Sequence, residues 1–291
     1  MVYFWLSWKR DAPVMFTFSE LSTSASVALV SFGLIWLISV VTITAAFYWL
    51  VKCRQLVRQR VILFNLNFTE LLFCITIPIR LIRYFTECPA CDYVTRFDTW
   101  IGFWYYASFF FITFDRALCL VLGVKYNVLV TAKRLKITSV FVSLVCFLCS
   151  LPFYFLSKQE SLIIVNSIIY PVLDLLFVTT AIAIYTTILV KLHKDSPSSD
   201  NRRRTFDVTA FRRRYAVPLL IVLSFVVFIQ APSLYIIMSV YLNDAASSDP
   251  EKAFIETLII YSLWFIGFFF DSLIYIGLVN KRHRRVTQFS N

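Results

Sequence analysis

Six ionisable side chains stand inside otherwise apolar stretches of this sequence: Glu70, Asp98, Asp115, Arg116, Asp174 and Asp271. A charge in an apolar run is costly unless it is paired, neutralised or held by a cation, so each of these positions marks a concentrated chemical role. Asp115 and Arg116 are adjacent and can neutralise each other, either as a pair snorkelling at an interface or as a pair that opens to present Arg116 to a partner. The set does not describe an enzyme. No histidine lies on an apolar run to act as a base, His193 and His283 fall in polar segments, and no glycine-rich phosphate loop is present. Cys88-Pro-Ala-Cys91 has ligand-like spacing but no second ligand pair, so no metal site and no cofactor are assigned.

The elements that must position these groups are apolar helices. Of the 291 residues 59% are hydrophobic and 15% charged, with mean hydropathy +0.74, which leaves too few polar groups to cover a water-facing surface. Crossing a hydrocarbon core takes roughly 20 helical residues. Seven runs qualify: Leu21–Val51, Val61–Ile79, Phe97–Val124, Ile137–Leu156, Ser161–Val190, Tyr215–Asn243 and Thr257–Val279. The expected fold is an all-α membrane protein, a seven-transmembrane helix bundle.

The net charge of +11 sits in short basic clusters between the runs, a pattern of membrane loops facing anionic lipid and not of nucleic-acid binding. The first, third and fifth loops, the tail and Arg116 together hold 21 of the 28 Lys and Arg residues. That side is therefore assigned to the cytoplasm, with the N-terminus outside and the C-terminus inside. The chain reads as one domain: an extracellular segment 1–20, a bundle 21–279 and a cytoplasmic tail 280–291. Met1–Trp8 is aromatic and precedes its basic pair, unlike a cleaved signal peptide.

Several segments share an order and spacing. Phe114-Asp-Arg-Ala-Leu-Cys-Leu-Val-Leu-Gly-Val-Lys-Tyr126 resembles the Asp-Arg-Tyr signature and following loop of rhodopsin-like (class A) G-protein-coupled receptors, with Ala117 as third residue. Asn65-Leu-Asn-Phe-Thr-Glu70 resembles that family's helix-two motif, with Glu for Asp. Pro171 and Pro232 match its helix-five and helix-six prolines. Asp271-Ser-Leu-Ile-Tyr275 resembles Asn-Pro-x-x-Tyr, with Asp for Asn and Ser for Pro. The departures are as definite. Gln230 stands at the aromatic toggle beside Pro232, Thr42 stands for a helix-one Asn, and the fourth run has no Trp.

The resemblance implies roles. Asp115, Arg116, Gln230, Pro232 and Tyr275 fall on the activation and G-protein-coupling positions. Glu70, Asp271 and Tyr105 fall on the polar core, where the family's groups face each other and bind sodium; here the readings are a shared proton or water-linked pair, a sodium ion, or no direct contact. Asp98, eighteen residues before Arg116, falls on the ammonium-binding position of amine receptors, with Trp104, Ser233 and Phe265 as further ligand-pocket candidates. It has a plainer reading as the partner of Arg80, Arg83 or Arg96. Cys91 falls on the family's disulfide position, but no Cys follows Cys149, so the open alternative is a local Cys88–Cys91 bridge.

The expectation is a multi-pass cell-membrane receptor that passes a small-molecule, lipid or peptide signal to a heterotrimeric G protein. Two alternatives stand beside it: an ion- or proton-linked transporter or channel subunit using Glu70, Asp174 and Asp271, and a seven-helix scaffold that no longer signals. Where the family has an acid at the inner end of helix six, this chain has Arg212, Arg213 and Arg214, which predicts signalling without ligand.

Overall fold

A computed structural model describes residues 21–52, 57–82, 84–86, 89–122, 125–152, 169–194, 220–232 and 250–289. The described residues contain helices and no strand. In chain order these are α1 (Thr23–Lys52), α2 (Val57–Ile82), α3 (Pro89–Leu122), the short α4 (Tyr126–Leu129), α5 (Ala132–Ser150), α6 (Tyr170–Lys194) and α7 (Pro250–Phe289). A π-helical turn, Val226–Gln230, interrupts the apolar helix that includes Leu220–Ile229.

Among the described residues, three helical segments are long and apolar enough to cross a membrane: Thr23–Lys52, Val61–Ile82 and Phe254–Gly277. Leu175–Thr187 and Leu220–Ile229 are shorter apolar stretches. The surface has the character of a lipid-facing one. Along α1 the exposed large apolar residues include Val27, Val30, Leu34, Leu37, Ile38 and Val41, while Ser39 is buried. On α5, Ile137, Val140, Phe141, Leu144 and Leu148 point outward, and Ser139 and Ser150 are buried. A helix with so many large apolar side chains on its outer face suits hydrocarbon and not water.

The ends follow from local chemistry. The Ser22 hydroxyl accepts from the Ala25 N–H at 3.2 Å and caps α1, and the Thr131 hydroxyl accepts from the Arg134 N–H at 3.3 Å and caps α5. Pro250 opens α7, where its missing N–H leaves no bond unmade. Pro78, inside α2, has no N–H to give the Cys74 carbonyl one turn back, and the indole Nε1 of Trp36 on α1 donates to that carbonyl at 2.8 Å. A proline that would weaken α2 thus becomes the place where α1 grips it.

α3 is the hub, packing on α2, α5 and α6, while α7 packs on α1, α2 and the π-helical segment. Hydroxyl-to-carbonyl and indole-to-carbonyl bonds tie the helices: Ser39 Oγ to Phe265 O at 2.8 Å, Trp100 Nε1 to Ser143 O at 3.2 Å, and Ser224 Oγ to Gly267 O at 3.4 Å. Gly267 eases this approach, since a Cβ there would stand 3.0 Å from Phe228 Cβ, tighter than ordinary contact. Rings fill the centre. Phe109 and Phe225 lie 4.2 Å apart and Phe177 lies 4.9 Å from Phe225, so α3, α6 and the segment before Pro232 share one aromatic contact.

Candidate functional site

The buried ionisable groups fall in three layers along α3. Asp98 stands near its N-terminal end, Tyr105 about 10 Å further along, and Asp115-Arg116 about 16 Å beyond that, at 1.5 Å per residue.

In the first layer Arg80 of α2 forms an ion pair with Asp98 of α3, and its guanidinium donates to the Tyr261 hydroxyl of α7 at 3.5 Å. The Thr76 hydroxyl lies beside the same carboxylate. All four groups are buried. Of the partners weighed for Asp98, the structure selects Arg80; the side chains of Arg83 and Arg96 lie outside the described residues. Two of the other ligand-pocket candidates make aromatic contacts of their own. Trp104 stacks on Trp100 at 5.3 Å and meets Phe68 at 5.5 Å. Phe265 packs on Phe32 of α1 at 5.6 Å, and its carbonyl holds Ser39, so it belongs to the α1–α7 contact. Ser233 lies outside the described residues.

The second layer joins four runs. Glu70 of α2 and Asp271 of α7 are each fully buried and interact with each other, and the phenols of Tyr105 on α3 and Tyr275 on α7 lie in the field of both. Ser224 approaches Asp271 from the segment before the π-helical turn. Both carboxyls, both phenols, the Asn67 amide and the Ser272 hydroxyl lack a well-formed hydrogen bond. Such a cluster offers places for a proton, water or a monovalent cation. Among the described residues no three His, Cys, Asp or Glu converge as multivalent metal ligands. Glu70, Asp271, Tyr105 and Tyr275, drawn from three separate stretches of sequence, are therefore neighbours. Thr42 does not join them; its hydroxyl bonds back to Ile38 O at 3.0 Å and Ser39 O at 2.9 Å on its own helix.

In the third layer Arg116 pairs with its neighbour Asp115, and the Tyr126 hydroxyl on α4 donates to the other carboxylate oxygen. Arg116 is buried with Nη1 left without a partner, and the Tyr185 phenol of α6 lies in its field. Tyr126 lies past the apolar run. Burial, the bond to Asp115 and that carboxylate's charge raise its phenol above the usual range, so it remains a neutral donor.

Sequence reasoning missed Tyr126, Thr76, Tyr261 and Ser224 as members of these layers. A tyrosine in a loop and a hydroxyl on a helix have no periodic signal; only the register of the partner helix reveals them. Pro232 is half-buried just past the π-helical turn. The side chains of Gln230, Asp174, Cys88 and Cys91 lie outside the described residues, as do residues 1–20 and Arg212. Compared with protein-family models and with curated proteins, the chain matches none.

Proposed function

We propose that this chain is a divergent rhodopsin-like receptor: a seven-helix, multi-pass cell-membrane protein, N-terminus outside and C-terminus in the cytoplasm, that couples a ligand to a heterotrimeric G protein. One observation carries the reading. Glu70, Tyr105, Asp271 and Tyr275, aligned with the family from separate runs, meet in one buried cluster. The same α3 that supplies Tyr105 ends in the Asp115-Arg116 pair.

The mechanism is a population shift between two arrangements. A ligand in the half of the bundle that holds Asp98 favours an arrangement in which the segment before Pro232 moves away from α3. Phe225 is the contact to be broken, since it touches Phe109 and Phe177 together. Arg116 then exchanges Asp115 for the G protein. With Arg212, Arg213 and Arg214 in place of an acid, the resting arrangement is held by Asp115 and Tyr126. Signalling without ligand follows, and Arg212→Glu lowers it. The ion-path alternative would need Glu70 and Asp271 to open to water, and both are fully buried.

G-protein activation in cells at matched surface expression tests the reading. Wild type should exceed mock-transfected cells, and Arg116→Ala should abolish the signal. Equal signals from wild type, Arg116→Ala and mock cells would overturn it.

A further inference from the structure

The outer face of α5 ends in a cluster of charge. α5 packs on α2 and α3 and buries Leu135, Ser139, Cys146 and Ser150. Ile137, Val140, Phe141, Leu144 and Leu148 are exposed, and their spacing puts them on one face of the helix. The strip from Ile137 to Leu148 runs about 16 Å, close to one leaflet's half of a hydrocarbon core about 30 Å thick. At its N-terminal end stand Lys133, Arg134 and Lys136, all exposed, with Lys125 exposed at the start of α4.

These cations are not neutralised from within. Between Asp115 and Glu160 the sequence has no carboxylate, and Asp115 is taken by Arg116 and Tyr126. Among the described residues none of the four forms an ion pair. Lys52, at the end of α1, shows the contrast: it lies 5.5 Å from the centre of the Tyr48 ring and donates to that phenol at 3.4 Å. Arg134 is also fixed in place, since its Nη1 donates to Leu129 O at 2.7 Å and ties α5 to α4. A guanidinium held by one nitrogen offers the rest of its planar fork to a phosphate with little freedom left to lose. A headgroup with one charge matches one of these cations. Phosphate monoesters, each carrying up to two charges near neutral pH, match several within one headgroup. We infer that the α4–α5 corner and the outer strip of α5 hold one phosphoinositide-class lipid, its phosphates on Lys133, Arg134 and Lys136 and an acyl chain along Ile137–Leu148. The site goes beyond the receptor reading and needs only a bilayer around the helices.

Native mass spectrometry of the full chain from uncharged maltoside micelles tests it with three probes. These are phosphatidylinositol bisphosphate, phosphatidylserine, and inositol trisphosphate as a headgroup without chains. The bisphosphate lipid should bind about tenfold more tightly than either of the others. Lys133→Gln with Arg134→Gln and Lys136→Gln should weaken it by about tenfold or more. Lys281→Gln with Arg282→Gln, Arg284→Gln and Arg285→Gln removes more charge from the tail and should leave the affinity within about twofold. Equal binding of phosphatidylserine or of the bare headgroup, or no binding of the lipid, would overturn the site. So would an unchanged affinity in the α5 variant, or an equal loss in the tail variant, which would mean attraction by net charge alone. If the α5 variant does not fold, Lys133→Gln with Lys136→Gln spares the bond from Arg134 to Leu129. That pair should cost about fivefold, and no loss there would overturn the site. G-protein activation plays no part in the readout, so the failure of either claim leaves the other standing.

Discussion

Arg80–Asp98 and Asp115–Arg116 both involve α3 and both are buried, yet they join different things. Arg80 and Asp98 come from two helices, with Tyr261 of a third against the guanidinium. They separate only if α2 and α3 part or if something replaces each partner. Asp115 and Arg116 are neighbours on one helix, with Tyr126 as the external restraint. They separate by side-chain rotation alone. The same pairing chemistry makes a clasp between helices in one place and a latch within a helix in the other.

Breaking the clasp has the largest expected effect. Arg80→Met leaves Asp98 buried without its cation and should destabilise the fold by about 3–5 kcal/mol, read as a fall in the thermal unfolding midpoint. Arg80→Met with Asp98→Leu removes both charges and should recover most of the loss. Equal loss in the single and double variants would show that the pair is not a unit. Next comes the latch. Asp115→Asn takes the charge from a contact worth about 1.5–3 kcal/mol but keeps an oxygen that accepts from Arg116; it should raise basal signalling at matched expression, with a smaller loss of folded protein than Arg80→Met gives. If it unfolds the protein as Arg80→Met does, the distinction between clasp and latch fails.

Tyr126→Phe removes one hydrogen bond to Asp115. It should loosen the latch by about 0.5–1.5 kcal/mol, seen as a smaller rise in basal signalling than Asp115→Asn gives. The smallest effect is that of pH. The folded-state pKa of Tyr126 is raised, so its contribution is complete below the unfolded phenol value near 10 and is lost only as pH climbs through the higher folded value. The difference between Tyr126→Phe and wild type should therefore stay constant from about pH 6 to pH 9. A difference that vanishes within that window would mean that Tyr126 does not act as a neutral donor.

Among the described residues, the apolar runs located the helices but not their ends. Leu21–Val51 became Thr23–Lys52, a close match because uncharged residues fill the helix up to its last residue, Lys52. α3 starts at Pro89, eight residues ahead of the run that began at Phe97, since Asp92 and Arg96 are compatible with helix though not with hydrocarbon. α7 extends from Pro250 to Phe289 for the same reason, overrunning Thr257–Val279 at both ends. Apolar length measures the solvent, and backbone preference measures the helix.

Spacing along one helix, set against the family resemblance, singled out Asp98, Tyr105 and Arg116, and the structure places them in three successive layers of α3. The meeting of Glu70 with Asp271 came through resemblance, because composition says nothing of which faces turn together. The π-helical turn at Val226–Gln230 left no trace in the sequence. One residue more per turn alters the bonding from Ala231 N–H to Val226 O without altering the apolar character of any position.

At 1.5 Å per residue, the forty residues of α7 make an unbroken rod of about 60 Å, twice the hydrocarbon thickness. Glu251 holds the Ser22 N–H at 3.1 Å near one end, and Tyr261, Asp271 and Tyr275 follow along its length. Such a rod works as a torsion shaft. A twist applied near Tyr261 reaches Asp271 and the basic stretch Lys281-Arg282-His283-Arg284-Arg285 with no loop to absorb it. One residue inserted beside Gly277, where a Cβ meets nothing within 4 Å, would turn everything beyond it by about 100° and leave the upstream contacts in place.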